Sequence, residues 1–222
     1  MHVLRTSFNG NPNVGLYGYS TPKYLLVGPE VPKHLHADLK EVFKQEVKVI
    51  TIAGTSLLGV FLVGNSRTLL VPDIAYEEEV KKIKDLGIPY TLVKTKMTCL
   101  GNNILANDNF AIISPEYTER EAKVIADALD VSHIRRKLVG VTTVGSVAIM
   151  NQKGCLLHYE SEKEDIKYIA KKFKVHCDHG SVNLGNPYIK SGILLNDSGF
   201  IMGDLSGGPE IVHADRVFGF IE

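Results

Sequence analysis

The sequence has little that would tie it to a membrane, an oxidising compartment or a nucleic-acid backbone. Its longest apolar run, residues 57–63, is far too short to cross a bilayer. Its three cysteines are odd in number and widely spaced, which indicates reduced thiols rather than a disulfide framework. Lysine plus arginine and aspartate plus glutamate each number 25, so the net charge is zero. This excludes a strongly basic protein that binds nucleic acid through its phosphates alone. Because the N-terminus also lacks the features of a signal peptide, we expect a cytoplasmic protein.

Motifs of common enzyme and metal sites are missing as well. The chain has no Walker A loop, no dinucleotide-binding glycine fingerprint, no His-Glu-x-x-His and no Cys-x-x-Cys. We therefore expect neither a metal site nor a small-molecule cofactor. The hydrophobic fraction of 44% is that of an ordinary folded protein, and 222 residues suffice to bury a full core.

What the sequence does contain is a repeated frame. A glycine precedes a short apolar stretch, a polar turn, a second apolar stretch and an acidic residue that opens a helical pattern. The acidic markers are separated by 43, 43, 44 and 44 residues, and the glycines by 44, 42, 44 and 40. The markers are Glu30, Asp73, Glu116, Glu160 and Asp204, and the glycines are Gly15, Gly59, Gly101, Gly145 and Gly185. Two marker sets with nearly the same step indicate five repeats of about 44 residues.

Each repeat predicts the same α/β unit. Two apolar runs around Asn, Asp or Gly are typical of a β-hairpin, because those residues tolerate the positive φ of tight turns. An apolar stripe at i, i+3, i+4 and i+7 follows, as at Ala122, Ile125, Ala126 and Leu129, and predicts a helix that covers the sheet. The acidic marker is expected at the positive N-terminal end of that helix. We expect one domain, 1–222, with repeats at about 9–52, 53–95, 96–140, 141–180 and 181–222.

The N-terminal segment is expected to close this arrangement. Residues 1–8 have a strand-like pattern and precede the first repeat, whereas the fifth repeat ends without a final strand. A strand donated from the N-terminus would complete the fifth unit and seal a ring, which removes exposed sheet edges.

Three stretches carry a resemblance to a known family. They are Leu100-Gly101-Asn102-Asn103 with the following residues 104–109, Val63-Gly64-Asn65-Ser66 with residues 69–72, and His179-Gly180-Ser181 with residues 182–185. They resemble the signature stretches of the translation initiation factor 6 family. The resemblance implies the pentein fold, five quasi-identical α/β units around a central axis, also called an α/β propeller. The archaeal type is the closer match, since the chain stops at Glu222 without the long C-terminal tail of eukaryotic members.

The same resemblance implies a non-enzymatic role in translation. Members of the family bind the large ribosomal subunit on its intersubunit face and prevent its association with the small subunit. The contact lies near the sarcin–ricin loop and is made largely with a ribosomal protein, with some ribosomal RNA nearby. Members also act in large-subunit maturation. A contact made mainly with protein agrees with the zero net charge. We expect the protein itself to be a monomer.

The candidate binding face consists of the loops at the repeat glycines, because pseudo-symmetry should place equivalent loops on one side. Exposed apolar groups mixed with amides, and little charge, are typical of a protein–protein contact patch. We rank Asn102 first, since it matches the family motif; the alternative is that Asn102 and Asn103 simply make a turn. The predicted face contains Leu16, Val60, Phe61, Asn102, Asn103, Ser146, Val147 and Asn186.

The alternative function is enzymatic. Pentein folds also host enzymes that modify guanidino compounds through a nucleophilic cysteine with a histidine and carboxylates in the central cavity. Cys177 lies between His176 and Asp178, so a thiolate could be stabilised by an imidazolium. However, adjacent residues on a strand point to opposite faces, which makes them poor catalytic partners. We therefore expect a binding protein rather than an enzyme.

Overall fold

The computed structural model describes residues 1–222 and consists of short strands alternating with helices. The strands are β1 (Val3–Thr6), β2 (Gly18–Ser20), β3 (Leu25–Val27), β4 (Val47–Val49), β5 (Val63–Gly64), β6 (Leu69–Pro72), β7 (Tyr90–Val93), β8 (Ile104–Ala106), β9 (Phe110–Ile113), β10 (Ser132–Arg135), β11 (Ala148–Met150), β12 (Gly154–His158), β13 (His176–Gly180), β14 (Ile193–Leu195) and β15 (Phe200–Gly203).

The helices are of two kinds, long ones that cover the sheets and single turns, all but one of which precede a hairpin. The long helices are α1 (His36–Phe43), α3 (Glu77–Asp85), α5 (Glu119–Leu129), α6 (Lys163–Phe173) and α8 (Gly208–Val217). The short ones are α2 (Leu58–Phe61), α4 (Leu100–Asn103) and α7 (Ile189–Gly192), together with a 3₁₀ turn at Val14–Tyr17. A further 3₁₀ turn, Lys33–Leu35, leads into α1. No helix combines the length and the apolar character that a membrane span requires.

Five three-stranded sheets repeat one topology. In the third unit, β8 and β9 form an antiparallel hairpin, and β10 returns parallel to β9 after the crossover helix α5. A parallel third strand requires such a crossover, because a tight turn can join only antiparallel neighbours. The strand orders are β2-β3-β4, β5-β6-β7, β8-β9-β10, β11-β12-β13 and β14-β15-β1. The predicted unit of hairpin, helix and strand is thereby confirmed.

The fifth sheet takes its third strand from the other end of the chain. Strand β1 pairs in parallel with β15, from Val3 opposite Phe200 to Thr6 opposite Gly203. The His2 Nε2 atom also lies 3.1 Å from the Asp215 carboxylate on α8. The prediction that the N-terminal segment completes the fifth unit is confirmed. Without β1, one side of β15 would present unpaired backbone groups.

The hydrophobic core is divided into five clusters, each shared by two neighbouring units. In one of them Phe110 of the third unit meets Phe173 of the fourth edge-to-face, with ring centroids 5.6 Å apart. In another, Leu194 and Ile201 of the fifth unit pack with Phe43 of the first. The other clusters join the first unit to the second, the second to the third and the fourth to the fifth. Apolar contacts thus connect every unit to the next and the fifth to the first.

Hairpin-turn asparagines add a hydrogen bond at four of these joints. The Nδ2 group of Asn151 donates to the carbonyl of Phe218, just past the end of α8 in the next unit, at 3.1 Å. Its Oδ1 accepts from the backbone amides of Lys153 and Gly154, which fixes the turn itself. The equivalent donors are Asn65 to Leu129, Asn107 to Phe173 and Asn196 to Phe43. One side chain therefore stabilises both its own turn and the joint with its neighbour.

The acidic markers do not open the helices. Glu116 lies in a turn, and α5 begins three residues later at Glu119. The sequence prediction was wrong here because the chain makes a further turn between hairpin and helix. The capping role belongs instead to Glu121, whose carboxylate accepts from the Thr118 amide at 2.8 Å while the Thr118 hydroxyl accepts from the Glu121 amide.

Candidate binding face at the repeat glycines

Five short turns meet at the ends of the hairpins: Val14–Tyr17, α2, α4, the turn at residues 144–146 and α7. The second residue of each turn makes the closest contacts. A Cβ atom on Gly59 would lie 2.0 Å from the carbonyl oxygen of Gly15, and one on Gly101 would lie 2.3 Å from that of Gly59. Gly145 stands in the same relation to the Gly101 carbonyl, also at 2.3 Å. Glycine is needed at these positions because no side chain fits where backbones of successive units touch.

Lysine stands at the fifth of these positions. A Cβ on Gly15 would lie 1.9 Å from the carbonyl oxygen of Lys190, which is the second residue of α7. Our assignment of Gly185 to this position was wrong. Gly185 has a φ of +94° and corresponds to Gly10, Gly54 and Gly140 in the preceding turn, with φ of +79°, +72° and +76°.

The error arose because the fifth unit has lysine where the other four units have glycine, so the glycine of the preceding turn was taken in its place. The step from the glycine of the preceding turn to this position is five residues, as from Gly10 to Gly15 and from Gly185 to Lys190. The counterpart of Asn102, the residue after the glycine, is therefore Ser191 and not Asn186. Asn186 lies in the loop before α7, where its Oδ1 accepts from the Tyr188 amide at 3.0 Å.

Three of the predicted residues surround one pocket. Leu16, Asn102 and Ser146 come from the first, third and fourth units and are all partly exposed. The pocket has a volume of about 250 Å³, and its other lining residues are Gly59, Thr143, Tyr188, Lys190 and Ser191. We call this the outer pocket. Val60 and Phe61 are also partly exposed and belong to the neighbouring turn α2, but they do not line it.

Two predicted residues point inward instead. Asn103 is 4% exposed, and its Nδ2 group donates to the Cys99 carbonyl at 3.0 Å. Val147 is 1% exposed and packs in the core shared by the third and fourth units. The expectation that both present their side chains on the face is corrected. Side chains one position further along these short turns point into the molecule.

Asn102 differs from the adjacent Asn103 in that its side-chain amide has no hydrogen-bond partner within the protein. Its backbone is fixed, because its N–H donates to Cys99 and its carbonyl accepts from Gly145 at 2.9 Å. The side-chain amide makes no hydrogen bond within the protein, whereas the hydroxyl of Ser146 donates to the Thr143 carbonyl at 2.6 Å. Asn102 therefore has donor and acceptor capacity available for a partner.

Lys190 was missed by the sequence reasoning. Its ammonium Nζ donates to the Gly101 carbonyl at 2.6 Å, across to the third unit, and its backbone N–H donates to Ser146 at 3.2 Å. The residue as a whole is partly exposed, but burial of the amine lowers its pKa to about 7. The signal was present: an apolar residue precedes the glycine in four repeats, and Ile189 precedes Lys190.

A second cavity, of about 280 Å³, lies among the five hairpins. Segments 18–24, 63–68, 104–108, 148–152 and 193–197 all contribute to its lining, which includes neither cysteine nor histidine. Cys177 is buried elsewhere, with its Sγ 3.9 Å from the Val175 carbonyl. The enzymatic alternative, which required Cys177 in the central cavity, therefore lacks its geometry.

The fold has a solved counterpart. A mutant of DDAH from Pseudomonas aeruginosa, in complex with citrulline, superimposes with a TM-score of 0.53 and 10% sequence identity. The match covers 75% of this chain and 68% of that chain. At this identity the likeness concerns the fold alone, and it confirms the predicted pentein architecture.

Relatives of similar sequence cover the whole chain. Translation initiation factor 6 of Pyrococcus abyssi is 34% identical over 227 residues, covering 100% of both chains. Those of Pyrobaculum aerophilum and Saccharolobus islandicus are each 33% identical, covering 95% and 99% of this chain and 96% and 100% of their own. The model of the eIF-6 family matches residues 3–217. The resemblance carried by the three sequence stretches is thereby confirmed, and the chain belongs to the eIF-6 family of translation initiation factors.

Proposed function

We propose that this protein binds the large ribosomal subunit at its intersubunit face, prevents association with the small subunit and takes part in large-subunit maturation. Its membership of a translation-factor family supports this function. Blocking subunit association needs no chemistry, because a bound protein that occupies the contact surface excludes the other subunit sterically. A rigid face is sufficient for this role.

The observation that carries the proposal is the free amide of Asn102 at the outer pocket. An amide with no internal partner, held on a backbone that is fixed by two hydrogen bonds, is pre-organised to bind. Leu16 and Tyr188 supply apolar and aromatic surface around it. Amphipathic surroundings of this kind are typical of the residues that dominate protein–protein affinity.

The charge distribution supports a ribosomal protein as the main contact. Lys190 is the single charged residue among those that line the outer pocket. The basic run at residues 135–137 is largely occupied within the protein: Arg135 pairs with Glu119, and Arg136 pairs with Asp165. Binding that depended on phosphates would require a cluster of free cations. Contact near the sarcin–ricin loop would then be mostly with protein, with ribosomal RNA at its edge.

The test is co-sedimentation with purified large subunits, followed by addition of small subunits. We expect the protein to sediment with large subunits and to lower the fraction that joins small subunits. Asn102→Arg should weaken binding about tenfold or more, since it places a long charged side chain in the pocket. Asn109→Arg is the matched control, because Asn109 is exposed in the hairpin turn at the opposite end of β8.

The possible outcomes distinguish ribosome binding by the protein from the assignment of that binding to the face around Asn102. A wild-type protein that stays at the top of the gradient at physiological salt would refute ribosome binding. Equal binding by the Asn102→Arg and Asn109→Arg variants would show that the contact lies elsewhere on the molecule. Binding without any effect on subunit joining would refute the anti-association role alone.

A further inference from the structure

Lys190 is the one residue that lines both the outer pocket and the central cavity. The other four units have glycine at this position, so no other side chain enters the meeting point of the five turns. Its Nζ reaches the carbonyl of Gly101, the residue before Asn102. The amine and the free amide of Asn102 are thus brought to the same part of the molecule by residues 88 positions apart.

The amine has no counter-ion within the protein. No carboxylate lies within 4.0 Å of it, and the only other titratable residue that lines the outer pocket is Tyr188. On the side of the central cavity the titratable residues are Tyr19, Lys23, Tyr24, Arg67, Asp108 and Asp197. Arg67 pairs with Asp108 and, outside the cavity, with the exposed Asp130. A buried ammonium without an anion is costly, and a neutral carbonyl compensates only part of that cost.

We propose that the outer pocket binds a carboxylate of the ribosomal partner protein, with the Lys190 ammonium and the Asn102 amide as its donors. The inference rests on the proposed function and deepens it by naming the chemistry of the group that enters the pocket. A carboxylate offers two oxygens in one plane, one for each donor. It also supplies the counter-ion that the Lys190 ammonium lacks within the protein.

The remaining polar groups favour a carboxylate over a phosphate. The hydroxyls of Ser146 and Ser191 already donate to the carbonyls of Thr143 and Tyr188, at 2.6 and 2.7 Å. Lys190 is the single cation that lines the pocket, and one cation matches the one negative charge of a carboxylate. Binding to ribosomal RNA through its phosphates instead gathers several cations, which the pocket does not offer.

The affinity for large subunits tests this site through its pH dependence. With a pKa of about 7, the protonated fraction of Lys190 falls from about 0.9 at pH 6 to about 0.1 at pH 8. If the charged form is required, the wild-type affinity falls about tenfold across this interval. Lys190→Met should bind about tenfold more weakly than the wild type at pH 6 and lose this component of the pH dependence.

The matched control is Lys23→Met, which makes the same change in charge. Lys23 lines only the central cavity, and its Nζ donates to the Ser66 carbonyl. The affinity of this variant for large subunits should depend on pH in the same way as that of the wild type. Lys190→Arg, which stays charged at every pH, should bind without the loss between pH 6 and pH 8.

The results distinguish the failure of the carboxylate site from the failure of the proposed function. Binding by the wild type that does not weaken between pH 6 and pH 8, or a profile shared with Lys190→Met, would overturn the carboxylate site and leave the proposed function standing. The wild-type profile decides this even if a variant at position 190 folds poorly. No binding by the wild type at any pH would overturn the proposed function and this inference together.

Discussion

Replacing Asn196 with alanine should weaken the joint between the fifth unit and the first. Asn196 is 3% exposed and donates from Nδ2 to the carbonyls of Thr21 and Phe43, at 3.2 and 3.0 Å. Its Oδ1 accepts from the backbone amides of Ser198 and Gly199, at 2.8 and 3.1 Å. Alanine removes all four bonds and leaves buried partners without a replacement.

The expected loss follows from the number of bonds. At about 1 kcal/mol of net stability for each hydrogen bond, the variant should lose about 3–4 kcal/mol of unfolding free energy. For a domain of this size that loss lowers the melting temperature by about 6–15 °C. Asn107→Ala is the matched comparison, because the Phe173 carbonyl that it bonds also accepts from Asn109 Nδ2 at 3.0 Å. We expect about half the loss there.

The assay is urea unfolding followed by far-UV circular dichroism, with the midpoint and the slope fitted separately. An unchanged slope would show that the same structure unfolds in every variant. The reasoning would be refuted if Asn196→Ala were within about 0.5 kcal/mol of the wild type, a change typical of ordinary surface positions. Equal losses in the Asn196 and Asn107 variants would refute the role of the second donor.

Two further predictions concern acid stability and the meeting point of the turns. Burial of the Glu210 carboxyl favours its protonated form, but hydrogen bonds from Ser181 and three backbone amides outweigh burial and lower its pKa. The stability from this carboxylate is therefore present above the ordinary pKa of 4.5 and lost as the pH falls through the lowered value, so Glu210→Gln should flatten an unfolding series below pH 5. An equal loss of unfolding free energy in acid by the wild type and by the Glu210→Gln variant would contradict this. Gly59→Ala should cost about 3 kcal/mol in the same unfolding assay, because the added Cβ collides with backbone. Gly208→Ala, where no atom lies within 4 Å, should gain about 0.5–1 kcal/mol, and equal effects would refute the steric argument.

Much of the fold could be predicted because its signals are local. Each hairpin depends on a turn residue between two apolar runs, and each long helix on an apolar stripe, so the period of about 44 residues is visible in the chain. The N-terminal strand could be inferred from a missing partner, and its pairing with β15 confirms it. The prediction from the acidic markers was wrong because an acidic turn residue, Glu116, and an acidic capping residue five positions later, Glu121, look alike in sequence.

The residues of the candidate binding face were harder to predict from the sequence. Leu16, Asn102 and Ser146 do come together, yet Asn103 and Val147 point inward and Asn186 lies in another turn. Neighbouring positions in a one-turn helix differ only in direction, and that direction is set by packing between units. No local pattern distinguishes Asn102, which has a free amide, from Asn103, which bonds to Cys99.

By itself, the sequence determined the family, the α/β repeat and the number of units, because periodic apolar patterns and turn residues act within each repeat. The tertiary structure decided which residue of the fifth unit meets the glycines of the other four. That choice depends on the distance between backbones of different units. It also placed the amine of Lys190 beside Gly101, a contact between residues 89 positions apart that no spacing in the chain encodes.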